Sequence, residues 1–557
     1  MLFRSELDRS LEAVSTWLLE LQRDYDLGSE AQLAKYGSVE KGLLNLGQMS
    51  YKVVVVPPCF SLRASTVTLL EAFMEVGGKV IVLHPEPWLV DGVPDAALEG
   101  LVRRADLIGL NRDELLGALA KAVAPQLVLS DASGNPVPEV FVHHRLLAED
   151  NHEVWMLTNL SQQRGYQLRV RLASVGHVTE LCLEEGCHRP VSARESHSET
   201  LFSTELAPCQ SRVFLLDLGR EPQIIAANRV LRTESLRLGP DWTLSIGESN
   251  ALTLDYARAS LDGGDFGERR PVIWTSLELQ QANVEREIRL LFDFECAKDP
   301  STMQELLLVL EQPERFRITC NGQQIDKDDL GWWKDISFRK LDLKPYAQQG
   351  ANELELAIRF VPGFEQKDPA HKRPNYHYTP KTELEAVYLV GDFGTRQVTE
   401  SSFRLVEIPA KATTGDLVWQ GLPFYSGAVT YTTTFTWQRL APRQRLVLEL
   451  PDIDAIVVKA RVKGQEAGVL YWRPYSLDIT DFLQVGENTL ELICVGSNRN
   501  LLGPHHHPAG ELLGVDPTAF TGQPGWLSGP ERPWVWSYNF VPFGLTSPPE
   551  LVLYELF

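Results

Sequence analysis

The amino-acid sequence predicts a multi-domain, mainly β chain with an α/β domain at its N-terminal end. Three observations predict it. A long segment recurs: Leu341-Asp342-Leu343 followed by Gly350-Ala351-Asn352-Glu353-Leu354-Glu355 is matched by Leu477-Asp478-Ile479 followed by Gly486-Glu487-Asn488-Thr489-Leu490-Glu491, at one offset (477 − 341 = 136 and 486 − 350 = 136). Apolar residues alternate with period two through most of the chain beyond about residue 130, and before that point helix and strand signals take turns. A looser echo upstream pairs Pro313-Glu314-Arg315-Phe316-Arg317-Ile318 and Asn321-Gly322 with Pro451-Asp452-Ile453-Asp454-Ala455-Ile456 and Lys463-Gly464. Solenoid periods run at about 20–50 residues, so a spacing this long marks a duplicated domain. Each Gly-x-Asn followed by alternating apolar residues reads as a tight turn feeding a strand.

At about 150 residues per domain, a chain of 557 residues implies three to five domains. Hydrophobic residues make up 44% and charged residues 23%, values of packed domains rather than disorder. The net charge, 53 − 74 = −21, argues against nucleic acid and anionic membrane as partners, since both attract basic patches.

Residues 1–130 are expected to form a flavodoxin-like α/β domain. Leu7, Leu11, Val14, Leu18 and Leu21 recur at helical spacing, with Ser5 and Asp8 as a capping pair, so the N-terminus reads as an amphipathic helix and not as a secretion signal. Tyr51-Lys52-Val53-Val54-Val55-Val56 is a strand buried on both faces, Ser65–Val76 a helix closed by Gly77-Gly78, and Val80-Ile81-Val82-Leu83 the next strand of a right-handed parallel unit. Asn111 with Glu114 starts a further helix. Residues 131–219, with short strands at Val154–Leu157, Leu168–Leu172, Val178–Leu183 and Val213–Leu216, are expected to form a small β-sandwich. The two repeat copies occupy 220–410 and 411–557. Pro362–Thr382 and Gly503–Pro533, rich in proline, charge or glycine, read as long loops. No apolar run is long enough to span a membrane. The seven scattered cysteines, 59, 182, 187, 209, 296, 320 and 494, read as thiols in a reducing cytoplasm.

The repeat grammar resembles the β-jelly-roll, galactose-binding-like domains that accompany glycoside hydrolases. Three stretches are similar to non-catalytic parts of the rhamnosidase-type family 106 and its relatives. Tyr51–Pro57 with Gly77-Gly78-Lys79-Val80-Ile81 looks like the glutaminase-type α/β domain that follows the catalytic barrel there. Leu157-Thr158-Asn159-Leu160-Ser161, closed by Leu206–Ser211, looks like the sandwich trailing such barrels. Gly421-Leu422-Pro423-Phe424-Tyr425-Ser426-Gly427, with Tyr431, Ser476–Thr480 and Asn498-Arg499-Asn500, is similar to their family 2-like sugar-binding jelly roll. The family places a (β/α)₈ barrel before the α/β domain, whereas helix–strand alternation here stops near residue 130, and a barrel needs about 200 residues or more. Glycosidases also need two carboxylates held about 5–9.5 Å apart. No catalytic residue is therefore assigned.

The resemblance implies the accessory portion of a glycoside hydrolase, inactive alone, that binds carbohydrate weakly and packs against a catalytic-barrel subunit or another copy of itself. An assembly protein without ligand binding, and an intact glycosidase with its active site in a long loop, remain as alternatives. Sugars pair an apolar C–H face with hydroxyls, which suits aromatic platforms beside charged groups. Trp332, Trp333 and Asp335 in one copy, and Tyr471, Trp472 and Arg473 in the other, fit that pattern, while Trp526, Trp534, Trp536 and Tyr538 lie in or beside the second long loop. A sandwich core also consumes aromatics, so packing is the competing role for each. Cys59 lacks the small neighbours of a nucleophile elbow, Gly77-Gly78-Lys79 lacks phosphate-loop spacing, and His505-His506-His507 lacks further ligands. No metal or cofactor is expected.

Overall fold

The computed structural model describes residues 2–147, 149–183, 186–225, 230–366, 378–512, 514–515, 520 and 534–556. The chain forms two compact units, Met1–Asn228 and Arg229–Phe557. Strands dominate both, and among the described residues no helix is long and apolar enough to cross a membrane.

In the first unit, strands Val53–Val56, Lys79–Leu83 and Asp106–Ile108 form a parallel sheet with Lys79–Leu83 at its centre. Val80, Ile81, Val82 and Leu83 are all buried, because the strand is covered on both faces. Leu70, Phe73, Leu98 and Leu101, from helices Ala64–Glu75 and Ala96–Arg104, pack on Val80 and Val82. Val14, Leu18, Leu115 and Leu119, from helices Leu2–Glu20 and Arg112–Ala122, pack on Ile81 and Leu83. Alternate residues of one strand thus serve two cores. Gly77 ends helix Ala64–Glu75 at φ 92°, and Gly78 N–H donates to the Phe73 carbonyl at 2.9 Å. Asn111 caps Arg112–Ala122 by accepting from the Asp113 and Glu114 amides. The first helix begins at Leu2, so Ser5 lies inside its first turn rather than at the cap. A three-stranded antiparallel sheet, Gly37–Glu40, Leu43–Leu46 and Met49–Tyr51, was not foreseen from the sequence.

The rest of this unit is a β-sandwich of a four-stranded and a five-stranded sheet between Leu127 and Asp217. Strand Tyr166–Leu172 alternates buried and exposed residues without a break. Asn159 is fully buried; its amide donates to the Arg164 and Ala207 carbonyls (2.7 and 2.9 Å) and its carbonyl accepts from Ser161 N–H.

The second unit holds two sandwiches of matching strand order, one inserted into the other. The outer one pairs a six-stranded sheet, ordered Lys411–Thr413, Asp241–Ile246, Ala428–Trp437, Gly486–Val495, Val457–Val462 and Gln465–Leu470, with a sheet ordered Val230–Arg237, Glu550–Leu556, Gln444–Glu449 and Ser476–Asp478. The nested one repeats this plan. Its larger sheet runs Arg269–Pro271, Tyr256–Leu261, Arg286–Cys296, Gly350–Phe360, Arg317–Cys320 and Gln323–Gln324. Its smaller sheet runs Asn250–Leu254, Val387–Gly391, Leu306–Glu311, Asp335–Asp342 and Trp332–Trp333. The expected division at 410/411 does not follow the hydrogen bonding. Val230–Arg237 pairs with Glu550–Leu556, and Asp241–Ile246 with Ala428–Trp437, so the first two strands after residue 229 belong to the sandwich that the chain completes at its end. A strand needs a partner edge, not a neighbour in sequence, and a contiguous reading cannot see that choice.

Candidate functional site

Trp332 and Trp333 form a short strand that turns back through Lys334, at φ 60°, into Asp335–Asp342. Adjacent strand residues face opposite ways. Trp332 is 57% exposed, while Trp333 packs on Tyr388 with ring centroids 5.8 Å apart, and Phe338 meets the same tyrosine at 5.4 Å. Asp335 lies opposite Trp333 and is engaged locally, accepting from Ser337 N–H (2.9 Å) and Ser337 Oγ (2.7 Å), bonds that hold its carboxyl below the usual range. The Lys334 ammonium pairs with Glu248 and sits 5.8 Å from the Trp333 ring. Trp332, Trp333 and Asp335 therefore share one hairpin, with Trp332 alone presenting a wide apolar face.

Tyr471, Trp472 and Arg473 occupy the connection between Gln465–Leu470 and Ser476–Asp478 of the outer sandwich. Tyr471 and Trp472 meet edge to face at 4.6 Å. Arg473 Nη2 donates to Asp452 Oδ1 at 2.8 Å, and its guanidinium lies 5.7 Å from the Tyr475 ring. The two predicted groups thus sit on different sandwiches. Two open grooves lie elsewhere, one of about 320 Å³ beside Leu238 and Phe435 and one of about 490 Å³ beside Arg23 and Phe141.

A third arrangement emerges only in three dimensions. Asp255 follows strand Asn250–Leu254 of the nested sandwich, and His505 and His506 follow the short helix Arg499–Leu502 of the outer one. His506 Nε2 is 2.9 Å from Asp255 Oδ2, and its Nδ1 faces the Val535 and Ser537 carbonyls at 2.8 and 3.1 Å. Both ring nitrogens thus face oxygen atoms, a carboxylate on one side and backbone carbonyls on the other. The Tyr538 hydroxyl donates to the other Asp255 oxygen. Burial works against the Asp255 charge, but His506 and the Tyr538 hydrogen bond outweigh it and hold the carboxyl below its ordinary range. His505 is the converse: burial pushes it down to about 4, and its Nε2 lies 2.9 Å from the Asn500 carbonyl.

Above this polar core lies an aromatic surface. Trp534 stacks on His506 at 4.6 Å and donates its indole N–H to the Tyr256 hydroxyl at 3.1 Å. That hydroxyl donates to the Trp536 carbonyl at 3.0 Å, and the Tyr256 and Trp536 rings stack at 5.7 Å. Arg269 covers Tyr256 at 4.6 Å, and Trp274 meets Trp534 and Trp536 at 5.5 and 5.7 Å. Trp536 remains 45% exposed. The result is an apolar face backed by the His506–Asp255 contact and a chain of hydrogen bonds. The loop tryptophans signalled it in the sequence, but the Asp255–His506 contact spans 251 residues and left no local trace. Trp526 lies outside the described residues.

Cys59 has its thiol pushed up to about 11, first by burial and then by Glu30. His505 and His506 are both buried, and among the described residues no group of three metal-ligating side chains comes together. Glu385 is pushed up to about 8 by its desolvated surroundings and then by Glu383, although its own surface reaches solvent.

No family model matches the chain. It is 27% identical over 120 residues to the "Putative beta-glucuronidase" of Formosa agariphila, a match spanning 20% of this chain and 10% of that protein. Among solved structures it is similar to the rhamnosidase from Novosphingobium sp. PP1Y (14% identity, 96% of this chain, 36% of that one, TM-score 0.47). It is also similar to the Streptomyces avermitilis α-L-rhamnosidase solved with L-rhamnose (12% identity, 77% of this chain, 39% of that one, TM-score 0.19). The chain thus spans well under half of each of these three proteins.

Proposed function

We propose that this chain is a carbohydrate-binding, non-catalytic portion of a glycoside-hydrolase system, in which the two sandwiches of the second unit act as jelly-roll sugar-binding domains. The observation that carries the reading is the exposure of Trp332 and Trp536, presented by otherwise packed sandwiches beside charged groups. A bare indole face next to lysine, arginine and carboxylate side chains suits the C–H face and hydroxyls of a sugar ring. The sequence match to a protein named as a β-glucuronidase is consistent with carbohydrate as the ligand class. Among the described residues the parallel strands form a three-stranded sheet and short pairs, not an eight-stranded barrel, and no carboxylate pair is assigned as an acid and nucleophile. The partner would be a catalytic-barrel subunit or a second copy of the chain, which light scattering on the purified protein would separate from a monomer.

A glycan array run beside chromogenic glycosides, rhamnosides and glucuronides included, tests the proposal. Binding without turnover is expected. Turnover abolished by substituting one Asp or Glu of this chain would replace it with the intact-glycosidase reading, and self-association without glycan binding would replace it with the assembly reading.

A further inference from the structure

Strands His177–Cys182 and Cys187–Pro190 form an antiparallel hairpin at one edge of the five-stranded sheet in the first unit, with Cys182 directly opposite Cys187. The hydrogen-bond phase of this hairpin can be read from two residues. Val191 N–H donates to the Val178 carbonyl at 3.1 Å, so 178 and 191 are a bonded pair, and Pro190, which has no N–H, takes the unbonded position opposite Thr179. Counting on by twos makes Glu180–Arg189 and then Cys182–Cys187 bonded pairs. Residues at such positions have Cα atoms about 5.5 Å apart, inside the roughly 4.4–6.8 Å range that a disulfide bridges. Opposed residues share a face of the sheet, and the two thiols hydrogen bond to each other, so the sulfurs already meet. Cys182 is buried and Cys187 half-buried on the edge strand, which gives an oxidant access to one sulfur of the pair.

We propose that Cys182 and Cys187 are a disulfide-forming site, closed by a low-molecular-weight disulfide such as oxidised glutathione. The Cys187 thiolate attacks the oxidant's S–S bond, forming a mixed disulfide and releasing one thiol. The Cys182 thiolate then attacks the Cys187 sulfur, forming the cross-strand bond and releasing the second thiol. Two protein S–H bonds and the oxidant's S–S bond are replaced by one protein S–S bond and two released thiols, which carry away the two electrons and the two protons. Cys187, half-buried on the edge strand, is the sulfur an oxidant reaches first, and buried Cys182 opposite it makes the second, intramolecular attack. The cysteine nearest the surface elsewhere, Cys209, has no opposed cysteine.

The full-length folded protein, treated with oxidised glutathione and then with an alkylating agent, tests this by peptide mapping. Trypsin releases one fragment, Leu172 to Arg194, that contains both residues and no other cysteine. The expected result is that this fragment loses two hydrogen atoms, takes up no alkylating agent and regains both sites after reduction. Cys182→Ser should instead leave a stable mixed disulfide on Cys187, and Cys187→Ser should leave Cys182 reduced at the same exposure. An oxidised wild-type fragment that retains both alkylation sites, keeps glutathione on Cys187, or is linked to a different cysteine would overturn the proposal. Circular dichroism of each variant before oxidation establishes that the fold is intact.

Discussion

The nested and outer sandwiches share a strand order and differ in almost everything that fills and decorates it. Their common feature is a turn. Asn352 and Asn488 are both buried, each donating to carbonyls four and two residues back at 2.8 and 3.0 Å, and each accepting from the amide four residues back, Gln348 or Gln484. Gly350 and Gly486 precede them at φ 93° and 101°, a region open to glycine at little cost. The cores diverge. With Asn352 set against Asn488, register places Ala257 where the outer sandwich has Trp242, and Leu290 where it has Tyr431. The outer core is closed by the Trp242–Tyr431 edge contact at 6.0 Å, whereas the nested core gains Val272 and Leu279 from helix Val272–Ala282. Duplicated sandwiches therefore keep the hydrogen bonds that shape the backbone and let volume be redistributed between strand and insertion, since close packing constrains total volume more than its source.

The largest effect should come from the core that relies on one large ring. Trp242→Ala, at a site 1% exposed, is expected to cost about 3–5 kcal/mol and to lower the unfolding transition of the outer sandwich. Calorimetry with two resolved transitions checks it; if both move together, the two sandwiches unfold as one body and their separation is wrong.

Next is the point where the outer loop grips the nested sandwich. His505 has a folded value near 4, below its ordinary value, so its contribution is complete above about pH 6.5 and is lost as pH falls from there toward 4. A shift of that size corresponds to about 3 kcal/mol. Asp255, also lowered, contributes only above its ordinary carboxylate value and adds a further loss in more acidic solution. Stability measured from pH 7 to 4 should fall in wild type, and His505→Asn should flatten that slope. An unchanged slope would show that the loop anchor is not pH-sensitive through this residue.

The shared turn sharpens the comparison. Asn488→Ala should destabilise by about 2–3 kcal/mol through unsatisfied backbone groups, and Asn352→Ala by about 1 kcal/mol more, because Asn352 Oδ1 also accepts from Asn321 Nδ2 at 2.9 Å while Lys463 stands at the related place. Equal losses in denaturant titrations would mean that the extra bond adds nothing.

The smallest effects on stability belong to the exposed rings. Trp332→Ala should change stability by less than about 0.5 kcal/mol, yet weaken glycan binding by about 1–3 kcal/mol if the platform is functional. Trp472→Ala, half-buried against Tyr471, tests the same idea in the outer sandwich. If neither variant alters affinity while Trp536→Ala does, the ligand face is the one built over Asp255 and His506.

What the sequence determined by itself was local. The parallel strands at Val53–Val56 and Lys79–Leu83, the glycine stop after helix Ala64–Glu75, the Asn111 cap and both Gly-x-Asn turns rest on groups within a few residues of one another, so composition and spacing contain them. Tertiary structure alone decided that Val230–Arg237 pairs with the last strand of the chain, that one sandwich lies inside the other, and that Asp255 meets His506. A strand's alternation states which face is buried but not which edge it joins, and a lone aspartate or histidine carries no mark of a distant partner. Those choices follow from the packing of whole sheets, where pairing an open edge and satisfying a buried charge become possible only after the rest of the fold has brought the two segments together.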